Sequence, residues 1–388
     1  MRPEDLHVNP LYENQLDMKD FSNIFDHNAQ GYKFYWFESI IDILPQKSEM
    51  TFKEIMCKMI WKAWFSVTEY HLHLGPTREG QQANLIEGLI VKIEKLPDVR
   101  QPMTEEQLNR VIDENFDLLR DDFNKLSTNV PYRLLSPFIK NPDGDFSWNR
   151  TSRLIAYFRK INETTPLPYI ILDDTSVNKR VVVNPYWEQV ILDNYTIIKS
   201  WIQMEKVKFL QGRNPGVPGI VYKADDHEQR TRKLEKVTKL WRSYSEVTSQ
   251  PIIDIYSGDE IEKDHLSIDH FVPWSYISND ELWNLTPMDK AENSSKSNRL
   301  PNWDRFFPRL SDLQFKLYSA IYSHDEVYHA FDKCRSDNLN AIWASEQLYK
   351  KGNSKETFYN ILEHNLHPIY DSAKIQGFAE WDGVKVVS

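Results

Sequence analysis

An aspartate and a histidine, Asp269 and His270, stand side by side in the apolar stretch LSIDHFV at residues 266–272. Asn284 follows fourteen residues after the histidine, Asn293 nine further on, and Lys296 three beyond that, with Arg299 close behind. Hydrolysing a phosphodiester needs an activated water, a cation on the developing charge and a stabilised leaving oxygen. A histidine near its ordinary pKa can take the water proton at neutral pH. Asp269 and Asn293 offer hard oxygen ligands, and two protein oxygens plus phosphate and water suit Mg²⁺, with Mn²⁺ as a substitute. Lys296 and Arg299 are candidates to hold phosphate oxygens.

These residues need elements to position them. LSIDHFV alternates in polarity and then meets Pro273, which predicts a short strand that stops there. LWNLTPM, residues 282–288, predicts a second extended piece. Thr286 is the expected helix N-cap, with Pro287 at the first helical position and Asp289 at the third. The helix is expected through MDKAENSSKSN, which places Asn293 and Lys296 on one face. Asn293, Ser294 and Ser295 are poor interior helix formers, as at a functional site or at a helix that simply ends. Neighbours on a regular strand point to opposite faces, so Asp269 and His270 serve one phosphate only if the strand twists or ends between them.

The segment resembles an HNH endonuclease core, the ββα-metal or His-Me finger module. The pattern of Asp269, His270, Asn284, Asn293 and Lys296 is similar to the HNH domain of RNA-guided CRISPR effector nucleases. Upstream, DIYSGDEI at residues 254–261 looks like the hairpin that opens many HNH domains. The resemblance implies that His270 is the general base, Asp269 and Asn293 bind the metal, and Asn284 braces the loop after the histidine. It covers only about residues 250–310. The four-cysteine zinc site of some HNH proteins is missing, with Tyr256 and Ser257 where ligands would stand. The wider layout resembles stand-alone bacterial HNH proteins of restriction and anti-phage loci.

Around this core the chain reads as α+β and predominantly helical, with the ββα-metal module embedded. Residues 1–205 form a mainly helical recognition or partner domain, with a β-hairpin near 168–184. Residues 206–249 form a basic connector and helix, 250–310 the nuclease domain, and 311–388 a helical region packing on it. TEEQLNRVIDENFDLLRDDFNKL (104–126) opens on a capping-box start at Thr104 and predicts one helix. WEQVILDNYTIIKSWIQMEKVKFL (187–210) predicts another, and a basic helix is expected over 226–247.

Net charge is −10, but its distribution is uneven: acids lead over 101–130 and bases over 205–248. Arg213, Arg230, Lys233 and Arg299 are the basic residues expected to meet nucleic acid, most naturally DNA; solvated helix faces explain many of the others. The two cysteines are far apart in sequence and exclude a cysteine-based zinc site. No apolar run reaches the length of a membrane span, and the N-terminal residues are not a secretory signal, which fits a cytoplasmic protein. His71 with His73 reads as a partly buried structural pair. His364 with His367 reads as a helix end before Pro368. No phosphate-binding glycine loop and no nucleophile elbow occur. Two rival readings stay open beside the metal-dependent endonuclease: a nuclease subunit silent until a sensor or ATPase partner binds, and an HNH scaffold that binds without cutting. One HNH site cuts one strand per event, so double-strand cleavage would need a homodimer or two visits.

Overall fold

The computed structural model describes residues 5–11, 13–76, 84–97, 99, 103–128, 130–140, 150–172, 179–224 and 232–383. It is mostly helical with small sheets, and it divides into two compact units. One comprises Met1–Pro215 and Ile220–Glu228, the other Gly216–Gly219 and Gln229–Ser388. The expected boundary at 205/206 falls inside a continuous helix, Tyr195–Arg213. Among the described residues no helix is long and apolar enough to cross a membrane.

The first unit is built around the helix Tyr32–Ile43, whose aromatic and aliphatic side chains from Phe34 to Ile41 are buried all round. A helix apolar on every side belongs in a core. It packs on Phe52–Thr68, which starts with a full capping box between Thr51 and Glu54. Strands β1 (Glu49–Thr51), β2 (Tyr169–Leu172) and β3 (Arg180–Val183) form an antiparallel sheet with β3 in the middle. The pairing of β2 with β3 is the expected hairpin, and its turn lies outside the described residues.

Two long helices expected from periodicity are each broken in two at an asparagine. The capping box at Thr104 forms, but the helix stops at Glu114 and restarts at Phe116. The second runs as Pro185–Asp193 and Tyr195–Arg213. At both breaks, Asn115 and Asn194, the side-chain amide donates to the carbonyl four residues back, 2.9 and 2.8 Å away. Asparagine competes with the backbone for hydrogen bonds in this way, and apolar periodicity does not register it.

In the second unit the basic helix runs from Glu235 to Thr248, starting later than expected because residues 232–234 are not helical, and it packs against Asp325–Asn338; residues 225–231 lie outside the described residues. Trp303–Ser323 buries Phe306, Leu310, Leu317 and Ile321. The helix Lys355–Ile375 runs straight through Pro368 instead of ending before it. An interior proline costs about 3 kcal/mol; burial of Leu366, Tyr370 and Ala373 on either side of it outweighs that. His367 stacks on Trp303 at 4.5 Å, in keeping with a structural role. Strands β4 (Leu266–His270) and β5 (Leu285–Asp289) pair antiparallel, with Asp269 opposite Thr286 and His270 opposite Leu285. The helix Lys290–Lys296 follows at once.

Candidate active site

The strand–strand–helix order expected around the Asp-His pair is present, with one boundary moved. Thr286 and Pro287 belong to β5, and the helix N-cap is Asp289, whose carboxylate accepts from Ala291 N–H at 2.7 Å. Proline is tolerated there because, among the described residues, β5 pairs with β4 alone and its other edge carries no strand. The helix carries Asn293, Ser294 and Ser295 to its end, where Ser297 takes a left-handed φ of 50°.

β4 ends at His270 rather than running on to Val272, because Asn284 captures the chain beyond it. Phe271 N–H donates to Asn284 O at 2.8 Å. The fully buried Asn284 side chain then pairs with both backbone groups of Val272: Oδ1 accepts at 2.8 Å and Nδ2 donates at 2.9 Å. Gln314, from Trp303–Ser323, adds bonds to the carbonyls of Leu282 and Leu285 at 3.1 and 2.7 Å. The strand end that carries the Asp-His pair is thus held by side-chain hydrogen bonds inside a closed loop.

Asp269 is 5% exposed and works with two buried partners. Lys296 Nζ lies 3.2 and 3.0 Å from its two carboxylate oxygens, and Tyr256 Oη donates to Oδ2 at 2.8 Å. The same Lys296 ammonium donates to His270 O at 2.8 Å. Lys296 is completely buried, so it does not reach a phosphate as the spacing suggested; it clamps the Asp-His pair from beneath. Burial pushes the Lys296 ammonium below the usual lysine range, and Asp269 opposes that shift. Burial also pushes Tyr256 far above the usual phenol range, with the Asp269 charge adding to it, so the phenol stays a donor.

Tyr256 is delivered by the upstream turn. Gly258 adopts φ of +90°, its N–H donates to Asp254 O at 2.8 Å, and Ile253 pairs with Glu260. Asp254 accepts from Tyr256 N–H and from Asp289 N–H, both at 2.8 Å, which ties the turn to the end of β5. Arg309 donates to the carbonyls of Ile255 and Tyr256 at 3.0 and 3.3 Å.

Asn293 donates from Nδ2 to Ser267 Oγ at 3.1 Å. Ser267 and Asp269 are two apart on β4 and so share a face of the strand, which puts the Asn293 bond on the Asp269 side of β4. With Nδ2 committed, the carbonyl Oδ1 is the remaining donor atom of that amide. One carboxylate and one amide oxygen form a hard donor set, which fits a divalent cation that keeps most of its waters. Among the described residues no group of three or more His, Cys, Asp or Glu side chains could hold a metal, so these two oxygens would be the protein's share.

His270 is the last residue of β4, next to Asp269. Its Nε2 lies 3.0 Å from Asp280 Oδ1, and the ring is only 3% exposed. Burial lowers the imidazole pKa below its ordinary value, although Asp280 and Asp269 oppose this. Burial would raise Asp280, but the bonds from His270 and from Lys233 N–H overrule it and hold the carboxyl below its usual range. Asp280 went unnoticed in the sequence because it lies in a loop with no periodicity and no motif spacing of its own.

The expected basic contacts scatter. Arg299 is half-buried and donates to the carbonyls of Lys296, at 3.2 Å, and Ser295, at the end of the Lys290–Lys296 helix. The exposed Lys233 meets the site through its backbone N–H, 2.7 Å from Asp280 Oδ2. Its neighbour Arg232, not anticipated from sequence, sits over the Trp274 ring at 5.5 Å, and its charge acts on both His270 and Asp280. Arg213 belongs to the first unit, over the Phe209 ring at 5.2 Å with a bond to Ala29 O at 3.4 Å. Arg230 lies outside the described residues.

Residues 254–302 match the family model described as HNH endonuclease. Asp269, His270, Asn284, Asn293 and Lys296 all fall within that segment. No curated protein and no solved structure matches the chain. The match points to a nuclease domain acting on nucleic acid, and it leaves the flanking regions without a counterpart.

Proposed function

We propose that the HNH domain at residues 254–302 makes this chain a metal-dependent endonuclease that hydrolyses phosphodiester bonds in DNA, as in bacterial restriction or anti-phage defence. One observation carries the reading. β4 ends at an Asp-His pair that is clamped by buried Lys296 and closed over by Asn284, with Asn293 of the following helix bonded to Ser267 on the same strand. Asp269 and Asn293 would hold the cation, Mg²⁺ or Mn²⁺. When bound, it supplies charge stabilisation to the phosphate and leaving oxygen. His270 takes the proton from a water molecule, the water oxygen forms the new bond to phosphorus, and the ester P–O bond breaks to release a chain end. Lys296 keeps the aspartate and the histidine backbone in register, and Arg232, Lys233 and Arg299 supply positive charge toward the DNA backbone.

The test is nicking of supercoiled plasmid with Mg²⁺ or Mn²⁺. His270→Ala should lower the rate at least ~100-fold, the usual contribution of a general base, with an unchanged melting temperature. Undiminished cleavage by a folded His270→Ala protein would overturn the assignment. A second reading is favoured by the 5% and 3% exposure of Asp269 and His270: a nuclease that opens its site only with a partner. Wild-type protein that stays inactive alone, with either metal, on plasmid, linear and single-stranded DNA would favour that form.

A further inference from the structure

We infer that Asp280 is the positioning residue for His270: it fixes the imidazole with its proton on Nε2 and so reserves Nδ1 as the atom that receives a proton from water. The geometry starts at Asp280 Oδ1, 3.0 Å from His270 Nε2. An ionised carboxylate only accepts hydrogen bonds, so the nitrogen facing it must carry the hydrogen. In a neutral imidazole the other nitrogen is then the lone pair.

Asp280 is itself held from three directions. Lys233 N–H donates to Oδ2 at 2.7 Å, which commits the second carboxylate oxygen. The fully buried Asn338 donates from Nδ2 to Asp280 O at 2.7 Å and to Lys233 O at 3.0 Å. The adjacent Glu281 accepts from Asn340 N–H at 2.8 Å, Ala341 N–H at 3.2 Å and Trp283 Nε1 at 3.1 Å. Lys233, Asn338, Asn340 and Ala341 all lie outside residues 254–302. The histidine of the HNH core is therefore oriented by a carboxylate that the flanking segments hold in place. This gives those segments a task in the chemistry beyond packing.

The same geometry dictates what an amide would do at this position. In Asp280→Asn the single carbonyl oxygen is claimed by Lys233 N–H. The NH₂ group then faces His270 Nε2 and forces that nitrogen to accept, which moves the imidazole proton to Nδ1. The amide should thus preserve shape and packing while occupying the lone pair that the reaction needs, a known consequence of an amide replacing a tautomer-fixing carboxylate.

The tautomer part of this inference is independent of activity, whereas the catalytic part rests on His270 being the base. The experiment is two-bond ¹H–¹⁵N correlation on full-length protein labelled with ¹⁵N-histidine at neutral pH, with the His270 signal identified by its loss in His270→Ala. Wild type should show the proton on Nε2 and Asp280→Asn the proton on Nδ1. Plasmid nicking by Asp280→Asn should show kcat reduced at least ~100-fold with KM for DNA changed less than about threefold, and Asp280→Glu should recover part of kcat. Wild-type His270 protonated on Nδ1 overturns the inference whatever the variants do, as does an unchanged tautomer in folded Asp280→Asn. If the tautomer changes as expected while His270→Ala cleaves normally, the positioning role stands and the proposed function falls.

Discussion

Both compact units bury lysine against carboxylate, and the two clusters close differently. In the first unit Glu38 is surrounded by Lys206 at 2.8 Å, Lys199 at 3.2 Å and Lys62 at 3.4 Å. Asp42 takes Lys199 at 2.5 Å and Lys62 at 2.6 Å. Three ammonium groups thus meet two carboxylates. Around β4 the balance is reversed, with Lys296 the one lysine beside Asp269 while Asp280 pairs with the His270 imidazole. The first cluster is saturated with cations and knits helices together. The second has one lysine for two carboxylates and ties a strand end to a loop.

The asparagines repeat the contrast. Three of them pair both amide atoms with the backbone N–H and C=O of one distant residue: Asn194 with His7, Asn214 with His73, and Asn284 with Val272. The first two sit at helix ends in the first unit. Asn284 uses the same device on the loop that follows His270. The brace as such is structural; what it holds distinguishes the third copy.

Substitutions can break this comparison. The largest effect is expected at Lys296. Lys296→Met leaves Asp269 buried without its cation, and urea unfolding should show a loss of about 3–5 kcal/mol. Lys206→Met should cost only about 1–2 kcal/mol, because Glu38 keeps Lys62 and Lys199. Equal costs would mean the two clusters do not differ as described.

Next in size, Asn284→Ala removes two hydrogen bonds and Asn214→Ala three, and each strands the partner backbone groups, at about 2–4 kcal/mol. Only Asn284→Ala should also slow plasmid nicking; an equal loss of cleavage in Asn214→Ala would dissolve the distinction.

The smallest effect concerns pH. Burial alone would raise the Glu38 pKa, but Lys206, Lys62 and Lys199 hold it far below the ordinary 4.5. A carboxylate depressed in the folded state stabilises fully above the unfolded value, and that contribution is lost as pH falls below it. Between about pH 5 and about pH 3, the melting temperature of wild type should therefore fall more steeply than that of Glu38→Gln, as read by calorimetry. Parallel slopes would remove Glu38 from the account.

Much of the site was legible in sequence because short-range chemistry writes it there. The alternation of LSIDHFV, the proline after it and the spacing from His270 to Lys296 anticipated strand, loop, strand and helix. The errors have local physical causes. Pro287 looked like a helix start, yet it lies in β5, paired across from Ile268. Asn115 and Asn194 interrupt helices whose apolar periodicity runs straight through them. Lys296 read as a phosphate contact because charge suggests solvent, and only packing shows it to be buried.

The sequence by itself determined which residues could act, His270, Asp269 and Asn293, and that Asn284 and Lys296 stand at set distances from them. Those are properties of residue type and of period along one strand and one helix. The tertiary structure decided how they are held: Tyr256 and Lys296 on Asp269, Asp280 on His270, Lys233 and Asn338 on Asp280. Lys233 and Asn338 lie 47 and 58 residues from Asp280. Hydrogen bonds between loops so far apart leave no periodic trace, because the packing of whole helices brings their ends together.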